Sequence, residues 1–338
     1  MVPNQEVPHT TVLEGINEVC DSGASLPVRI PRSGLEATNV LGAAYTLCGL
    51  ALTAGGLVLA SASATGLWIL GQVLLGLAFL QWFSLLHEAG HGILFRTRRW
   101  NLLAGGMAGF FSLIPFRSWC IVHASHHRWT GWKDLDSSSA ILATRERGPL
   151  ELGLWNVAWR TGLPLFSLVY RWSNFWNPGR FERFHPGHGR AAAARAAGHL
   201  LIHGALVTWV GPRELAVLVG PGLLLGLALQ DLILLSQHTH IPTPSSGGMP
   251  VSPLSGRDQA SFTRSIALPR WLGVGLLCGI GEHELHHAYP QVPGYRLHRV
   301  PATPARRLPA LTFLREAKRL RGEDFLFGDA TARSRTPG

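Results

Sequence analysis

His123-Ala124-Ser125-His126-His127 is the stretch on which the reading of this chain turns. On an α-helix, at about 100° per residue, His126 lies roughly 60° to one side of His123 and His127 roughly 40° to the other. Three imidazoles then share one face. Neutral imidazole is the commonest protein metal ligand, and it suits Fe, Zn, Cu and Ni. The spacing recurs at His283-Glu284-Leu285-His286-His287, and His87-Glu88-Ala89-Gly90-His91 adds an i,i+4 pair upstream. These three boxes hold half of the chain's 16 histidines. One HxxHH is as readily structural as functional, but three boxes in 338 residues point to a metal site.

Composition says where such a site sits. The chain is 46% hydrophobic and only 15% charged, against about 25% charged in soluble proteins, which points to a membrane. Its formal charge of +10 fits basic loops on the cytoplasmic side of a bilayer, and the apolar spans argue against nucleic-acid binding. Cys20, Cys48, Cys120 and Cys278 are scattered without a CxxC pair, so neither a disulfide framework nor a zinc ribbon is expected.

Four uncharged or weakly charged runs read as transmembrane helices: 39–60, 67–86, 191–210 and 215–236. Each has the roughly 20 residues needed to cross a hydrocarbon core. The second runs directly into His87, and the fourth ends in Gln237-His238-Thr239-His240. Asn101 to Phe116 is apolar but short, and is expected as a re-entrant or interfacial segment. Residues 151–176 mix Trp155, Trp159, Trp172 and Trp176 with Arg160 and Arg171, as suits a helix lying in the interface. The expected fold is an all-α integral membrane protein of four helices in two hairpins, with a cap carrying a histidine-rich di-metal site. Its domains are a tail over 1–35, a membrane domain over 36–300 and a basic, solvated, partly helical tail over 301–338. Two hairpins put both termini and all three boxes on one side, and the Lys/Arg distribution makes that side cytoplasmic. For a bacterial protein the membrane would be the inner one.

Eight imidazoles exceed what one zinc takes, which is four ligands in a structural site and three plus water in a catalytic one. Two metals are the economical inference. An all-nitrogen set with open positions suits a non-haem di-iron centre that activates O2.

The order HxxxH, HxxHH, HxxHH between paired spans resembles the membrane fatty acid desaturase superfamily, which includes hydroxylases and carotenoid oxygenases. His126-His127-Arg128-Trp129-Thr130 is similar to its second box, and His286-His287-Ala288-Tyr289-Pro290-Gln291-Val292-Pro293-Gly294-Tyr295-Arg296-Leu297 to its HHxxPxxPxYxL. Gln237-His238-Thr239-His240 resembles a QHTH stretch of some oleate-type members. The resemblance covers about residues 40–300. It implies two irons on eight or nine histidines (His87, His91, His123, His126, His127, His283, His286 and His287, with His238 or His240), and O2 as co-substrate. It implies an acyl-lipid, acyl-CoA or acyl-carrier-protein substrate in the lipid bilayer. It also implies a separate electron donor of ferredoxin or cytochrome b5 type. Desaturation and hydroxylation stay open, since both use the same oxidant. In one departure, Gly92 follows His91 where many oleate-type enzymes have a second histidine.

His238 is favoured over His240 because it lies seven residues after Asp231, nearly two turns, so that both face one way. Glu88, Asp231 and Glu284 are candidates to steady the ligand rings through their outer N–H, with Glu282, Asp134 and Asp136 also flanking the boxes. His199 and His203 read as structural, and His9, His185, His188 and His298 as solvated. The rival reading is an intramembrane zinc metalloprotease. His87-Glu88-Ala89-Gly90-His91 is a literal HExxH with Glu88 as general base. It leaves both HxxHH boxes unexplained, and Asn177-Pro178-Gly179 lacks the aspartate such proteases usually supply. A non-catalytic metal carrier would need ionisable groups in the middle of the spans, whereas these histidines cluster at one face.

Overall fold

The computed structural model describes residues 34–142 and 145–328. Nearly all of the tail expected over 1–35 lies outside these residues. Three described helices are long and apolar enough to cross a membrane: α1 (Asn39–Ala60), α2 (Thr65–Gly90) and the later α9 (Pro212–His238). Between them come α3 (Arg98–Ser112), α4 (Phe116–Trp129), α5 (Pro149–Thr161), α6 (Leu165–Phe175), α7 (Pro178–Phe184) and α8 (Gly189–Val210).

Small residues let the long helices approach. Thr38 caps α1 by accepting from the Leu41 N–H. Its buried stripe includes Gly42, Gly49 and Gly56, one every seven residues. A Cβ at Gly49 would crowd the Trp82 ring, and one at Gly56 would fall 2.8 Å from Leu75. Close helix contact through such residues is how packing is gained where lipid is as apolar as leucine. Trp82 adds an Nε1–H bond to Thr53 Oγ1 at 2.9 Å.

Pro221 removes an N–H inside α9 and so frees the Val217 carbonyl. Trp68 Nε1 and Gln72 Nε2 of α2 donate to it. Gln72 also donates to Leu218 O and accepts from the Gly222 N–H at 2.8 Å. Gln72, with Trp68, thus repairs the broken ladder, which lipid cannot do. Further along, Gly222 meets Leu75, Gly76 meets Leu225, and Gly226 meets Phe79. The partners advance together, so α2 and α9 run parallel, with His87 and His238 at the same end.

The short apolar run before the second box forms α3, joined to α4 at a bend of 95°. Leu113 makes the corner in the left-handed region (φ 56°), and Pro115 immediately precedes α4. The third expected span, 191–210, falls in α8, 22 residues long. Arg190, Arg195, His199 and His203 make it less apolar than α1, α2 and α9. The interfacial segment is two helices rather than one. Gly162 (φ 79°) ends α5, and Pro164 precedes α6.

After α9 come α10 (Gly256–Gln259), β1 (Ser265–Ala267), α11 (His283–Ala288), α12 (Gly294–Leu297), β2 (Arg307–Pro309), α13 (Ala310–Lys318) and α14 (Gly322–Phe327). β1 and β2 pair in parallel, Ser265 opposite Arg307, a small exception to the all-α expectation. The segment after Pro301 is also not simply solvated. Phe325 stacks on Trp159 with centroids 4.2 Å apart, and Phe325, Leu326 and Phe327 are buried. Its basic residues hid three apolar ones that α5 covers.

Candidate metal centre

Each box is carried by the end of a helix aimed at one place. His87 lies in the last turn of α2 and His91 just past it. The second box fills the last turns of α4, and the third makes up α11. Gly90 leaves room for the Trp119 ring, since a Cβ there would fall 2.2 Å from it.

The nine histidines form two groups. His87, His91, His123, His127 and His286 make one, and His126, His238, His283 and His287 the other. Within each group one nitrogen per residue lies within 4.8 Å of all the others. The helix angle explains the partition. In the second box the i,i+4 pair His123 and His127 turns to the first group and His126 to the second. In the third box His283 and His287 turn to the second group and His286 to the first.

The inward atoms are Nε2. His91 meets His123 at 2.7 Å, His123 meets His127 at 3.1 Å, and His127 meets His286 at 3.0 Å. In the second group His238 meets His283 at 2.8 Å, and His283 meets His287 at 3.1 Å. Several outer nitrogens face acceptors instead. His87 Nδ1 lies 3.1 Å from Glu88 Oε1, and His126 Nδ1 lies 2.8 Å from Asp136 Oδ2. His287 Nδ1 lies 3.1 Å from Gln259 Oε1. A proton on Nδ1 leaves a lone pair on Nε2. Nε2 atoms facing one another at these distances share either a proton or a metal cation. The spacing suits a metal, because ligands at right angles on one at about 2.1 Å are about 3.0 Å apart. His87 Nε2 is buried without a partner, as a waiting ligand atom would be. In α11, burial, and after it the neighbouring rings, push His283, His286 and His287 well below the ordinary imidazole value. They are neutral at pH 7, the form that binds metal.

Among the acids, Glu88 stays beside the site. Its Oε2 accepts the Gly294 N–H at 2.7 Å, so both oxygens are engaged. Asp136 accepts from Ser139 Oγ at 2.6 Å and from the Ser138 N–H at 2.9 Å besides facing His126. Burial alone would raise Asp136, but His126 and these bonds outweigh it and hold the carboxyl below the usual range. Two expected supports do other work. Asp231 accepts the Ser167 N–H at 2.7 Å and ties α9 to α6. Glu284 accepts the backbone N–H groups of Ala305 and Arg306 and holds the approach to β2. Seven-residue spacing placed Asp231 near His238 along α9 but could not show that its carboxylate meets the backbone of α6. Gln259 was not foreseen, since nothing in the sequence links it to a box.

His240 turns away from the site, its Nε2 meeting Asp324 O at 3.0 Å. His203 meets the carbonyls of Phe110 and His199, and His199 meets that of Gly109, which serves the C-terminal end of α3. His185, expected to be solvated, is 5% exposed and packs against Phe181.

Comparison with known proteins bears on what the centre is. The sequence model for "Fatty acid desaturase" matches residues 62–312. An omega-3 fatty acid desaturase, chloroplastic, from Ricinus communis is 27% identical over 75% of this chain and 56% of its own length. From Arabidopsis thaliana, a temperature-sensitive sn-2 acyl-lipid omega-3 desaturase (ferredoxin) is 29% identical over 75% of this chain and 59% of its length. An acyl-lipid omega-3 desaturase (cytochrome b5) of the same plant is 26% identical over 75% and 67%. The chain thus spans little more than half the length of the first two. The matched region holds all three boxes and His238, and the chain belongs to the fatty acid desaturase family.

Proposed function

We propose that this protein is an oxygen-dependent desaturase of fatty acyl chains, with two non-haem irons, one in each histidine group. The observation that carries the reading is the convergence of the nine histidines, five and four, beside a largely apolar cleft. The cleft is walled by Phe83, Trp119, Leu142, Phe166, Leu234 and Ile280, with His87, His123, His126, His238 and His283 also in its lining. A methylene chain fits such a wall, and the protein's task is to hold one C–H toward the metals and keep water out. Bound iron supplies the oxidising power: O2, two electrons and two protons become two waters as adjacent methylenes lose two hydrogens. Glu88, Asp136 and Gln259 keep protons on the outer nitrogens of His87, His126 and His287, so that the inner ones stay ligands.

Membrane packing supports the rest. The parallel course of α2 and α9 puts the Ser61–Ala64 turn and the turn at Gly211 at one end and the histidines at the other. Four spans in two hairpins, α8 being the third, then leave the centre and the domain of residues 36–300 open to one side. Its Lys and Arg make that side cytoplasmic, the inner face of the cell membrane in a bacterium. The names of similar plant enzymes cite ferredoxin or cytochrome b5, and a separate donor of that kind is proposed here. The acyl group would arrive as a lipid, on CoA or on a carrier protein.

Lipid profiling of a host expressing the protein, against one expressing His126→Ala, tests the reading. New double bonds are expected only with the unaltered chain. Hydroxylated chains in their place would make the protein a hydroxylase, and identical profiles would remove the assignment.

A further inference from the structure

We propose that Gln259 is a positioning residue that links the two histidine groups and fixes His287 as a ligand of the four-histidine one. The inference rests on the two-metal reading above. Gln259 ends α10 and is 3% exposed. Its Nε2 donates to the carbonyl of His127 and, at 3.1 Å, to that of Leu254. Carbonyl oxygens only accept, so both amide hydrogens are committed there. The amide orientation is therefore decided, and Oε1 must face His287 Nδ1, which lies 3.1 Å away. An amide oxygen cannot donate. His287 Nδ1 carries the proton, and the Nε2 lone pair points into the group of His126, His238 and His283.

The other end of the same amide holds backbone of the second box. His127 belongs to the five-histidine group and His287 to the four-histidine one. One side chain thus spans from a ligand's carbonyl in one group to a ligand's ring in the other. α10 can lie this close because residue 256 is glycine: a Cβ there would fall 2.6 Å from the His287 carbonyl oxygen. The arrangement differs from that of the other two held rings. Glu88 and Asp136 offer carboxylates to His87 and His126, which stabilise a more basic imidazole. Gln259 offers a neutral oxygen, so it fixes the orientation of His287 without adding charge. It also carries two donors that a carboxylate lacks.

The experiment is Co(II) binding to the full chain in lipid nanodiscs, without oxygen, read by visible absorption and by competition with a chelator. Wild type, Gln259→Leu, Gln259→Glu and His238→Ala are compared, with the double variant Gln259→Leu/His238→Ala. Wild type should bind two ions. In Gln259→Leu one site should keep its affinity and the other should weaken by about 10–100-fold. Gln259→Glu, of nearly equal volume, should weaken the same site, because its carboxylate would face two carbonyl oxygens. In the His238→Ala background, which already cripples that site, Gln259→Leu should add little. Two unchanged sites in either folded single variant would overturn the proposal. Equal weakening of both sites would also overturn it, by making Gln259 a general structural support. A wild-type protein that binds no pair of ions would instead overturn the two-metal reading.

Discussion

Asp136→Asn separates a carboxylate that holds a ligand from one that merely fills space. The carboxylate takes His126 Nδ1 and Ser139 Oγ on one oxygen and the Ser138 N–H on the other. Asparagine keeps one acceptor. If that acceptor stays with Ser138, the new NH2 faces His126 Nδ1 and Ser139. The serine hydroxyl can turn to accept, but the imidazole must move its proton to Nε2. The lone pair that His126 offered to the four-histidine group is then gone. The cost is about 10–100-fold in affinity at that site, or about 1.4–2.7 kcal/mol at 1.36 kcal/mol per decade. If instead the amide flips to keep His126, NH2 meets the Ser138 N–H. Two buried donors then face each other, at about 1–3 kcal/mol of stability. Metal titration and thermal unfolding of the purified protein tell the two apart. Under the first outcome double-bond formation falls with metal content, and under the second the unfolding midpoint falls with metal affinity kept. Asp136→Ala strands all three donors and should lose about 3–9 kcal/mol of stability, with partial relief if water enters. An Asp136→Asn protein with unchanged affinity, midpoint and activity would refute the reasoning.

Glu88→Gln keeps an acceptor for the Gly294 N–H and should lower activity by at most about 10–100-fold. Complete loss with metal retained, measured on one sample, would instead fit a general base and revive the protease reading. Cysteines at Ser63 and Arg213, both exposed, should react with a membrane-impermeant thiol reagent on intact cells, and one at exposed Ser252 only after lysis. Labelling of the Ser252 position from outside would break the two-hairpin arrangement. Burial, and after it the nearby His188 and Arg180, push His185 down to about 4. Between that value and the ordinary one of about 6.5 the unfolded chain holds a proton the folded one does not, so stability falls as pH drops through this window, by up to about 3 kcal/mol. His185→Phe should flatten that slope in thermal unfolding of the detergent-solubilised protein, and an undiminished slope would clear His185 of it.

What the sequence made legible was local. Residues 39–60 form α1 as read, and the second and fourth apolar runs lie within α2 and α9, because hydropathy over some 20 residues outweighs any neighbour's influence. The boxes were legible because three and four residues along a helix share a face. Contacts between distant segments were not. Gln259 serves a ring 28 residues onward and a carbonyl 132 residues back, and no periodicity records either. Asp231 and Glu284 failed for the converse reason. Asp231 lies near His238 and Glu284 within the third box in sequence, but each carboxylate is taken by backbone N–H groups, of α6 or of the approach to β2. The tail after Pro301 looked solvated by charge, yet the three apolar residues Phe325, Leu326 and Phe327 decided its place.

The unequal groups follow from helix geometry. An HxxHH helix cannot aim all three rings at one metal, because about 100° separates its third and fourth turn positions. The i,i+4 pair takes one target and the i+3 ring another. Boxes two and three make opposite assignments, so between them they give each group three histidines. The i,i+4 pair of the first box has no i+3 partner, and both its rings go to the first group, making five. The second group lacks that supply and draws its fourth ring from outside the boxes, at the last residue of α9. His238 can serve only because α9 runs parallel to α2 and ends at the same level. That register rests on Gly76, Gly222 and Gly226 at the α2–α9 contact and on Gln72 bridging the gap at Pro221. The fourth ligand of the second group is therefore set by membrane packing some four turns away, whereas the five of the first are set by the boxes alone.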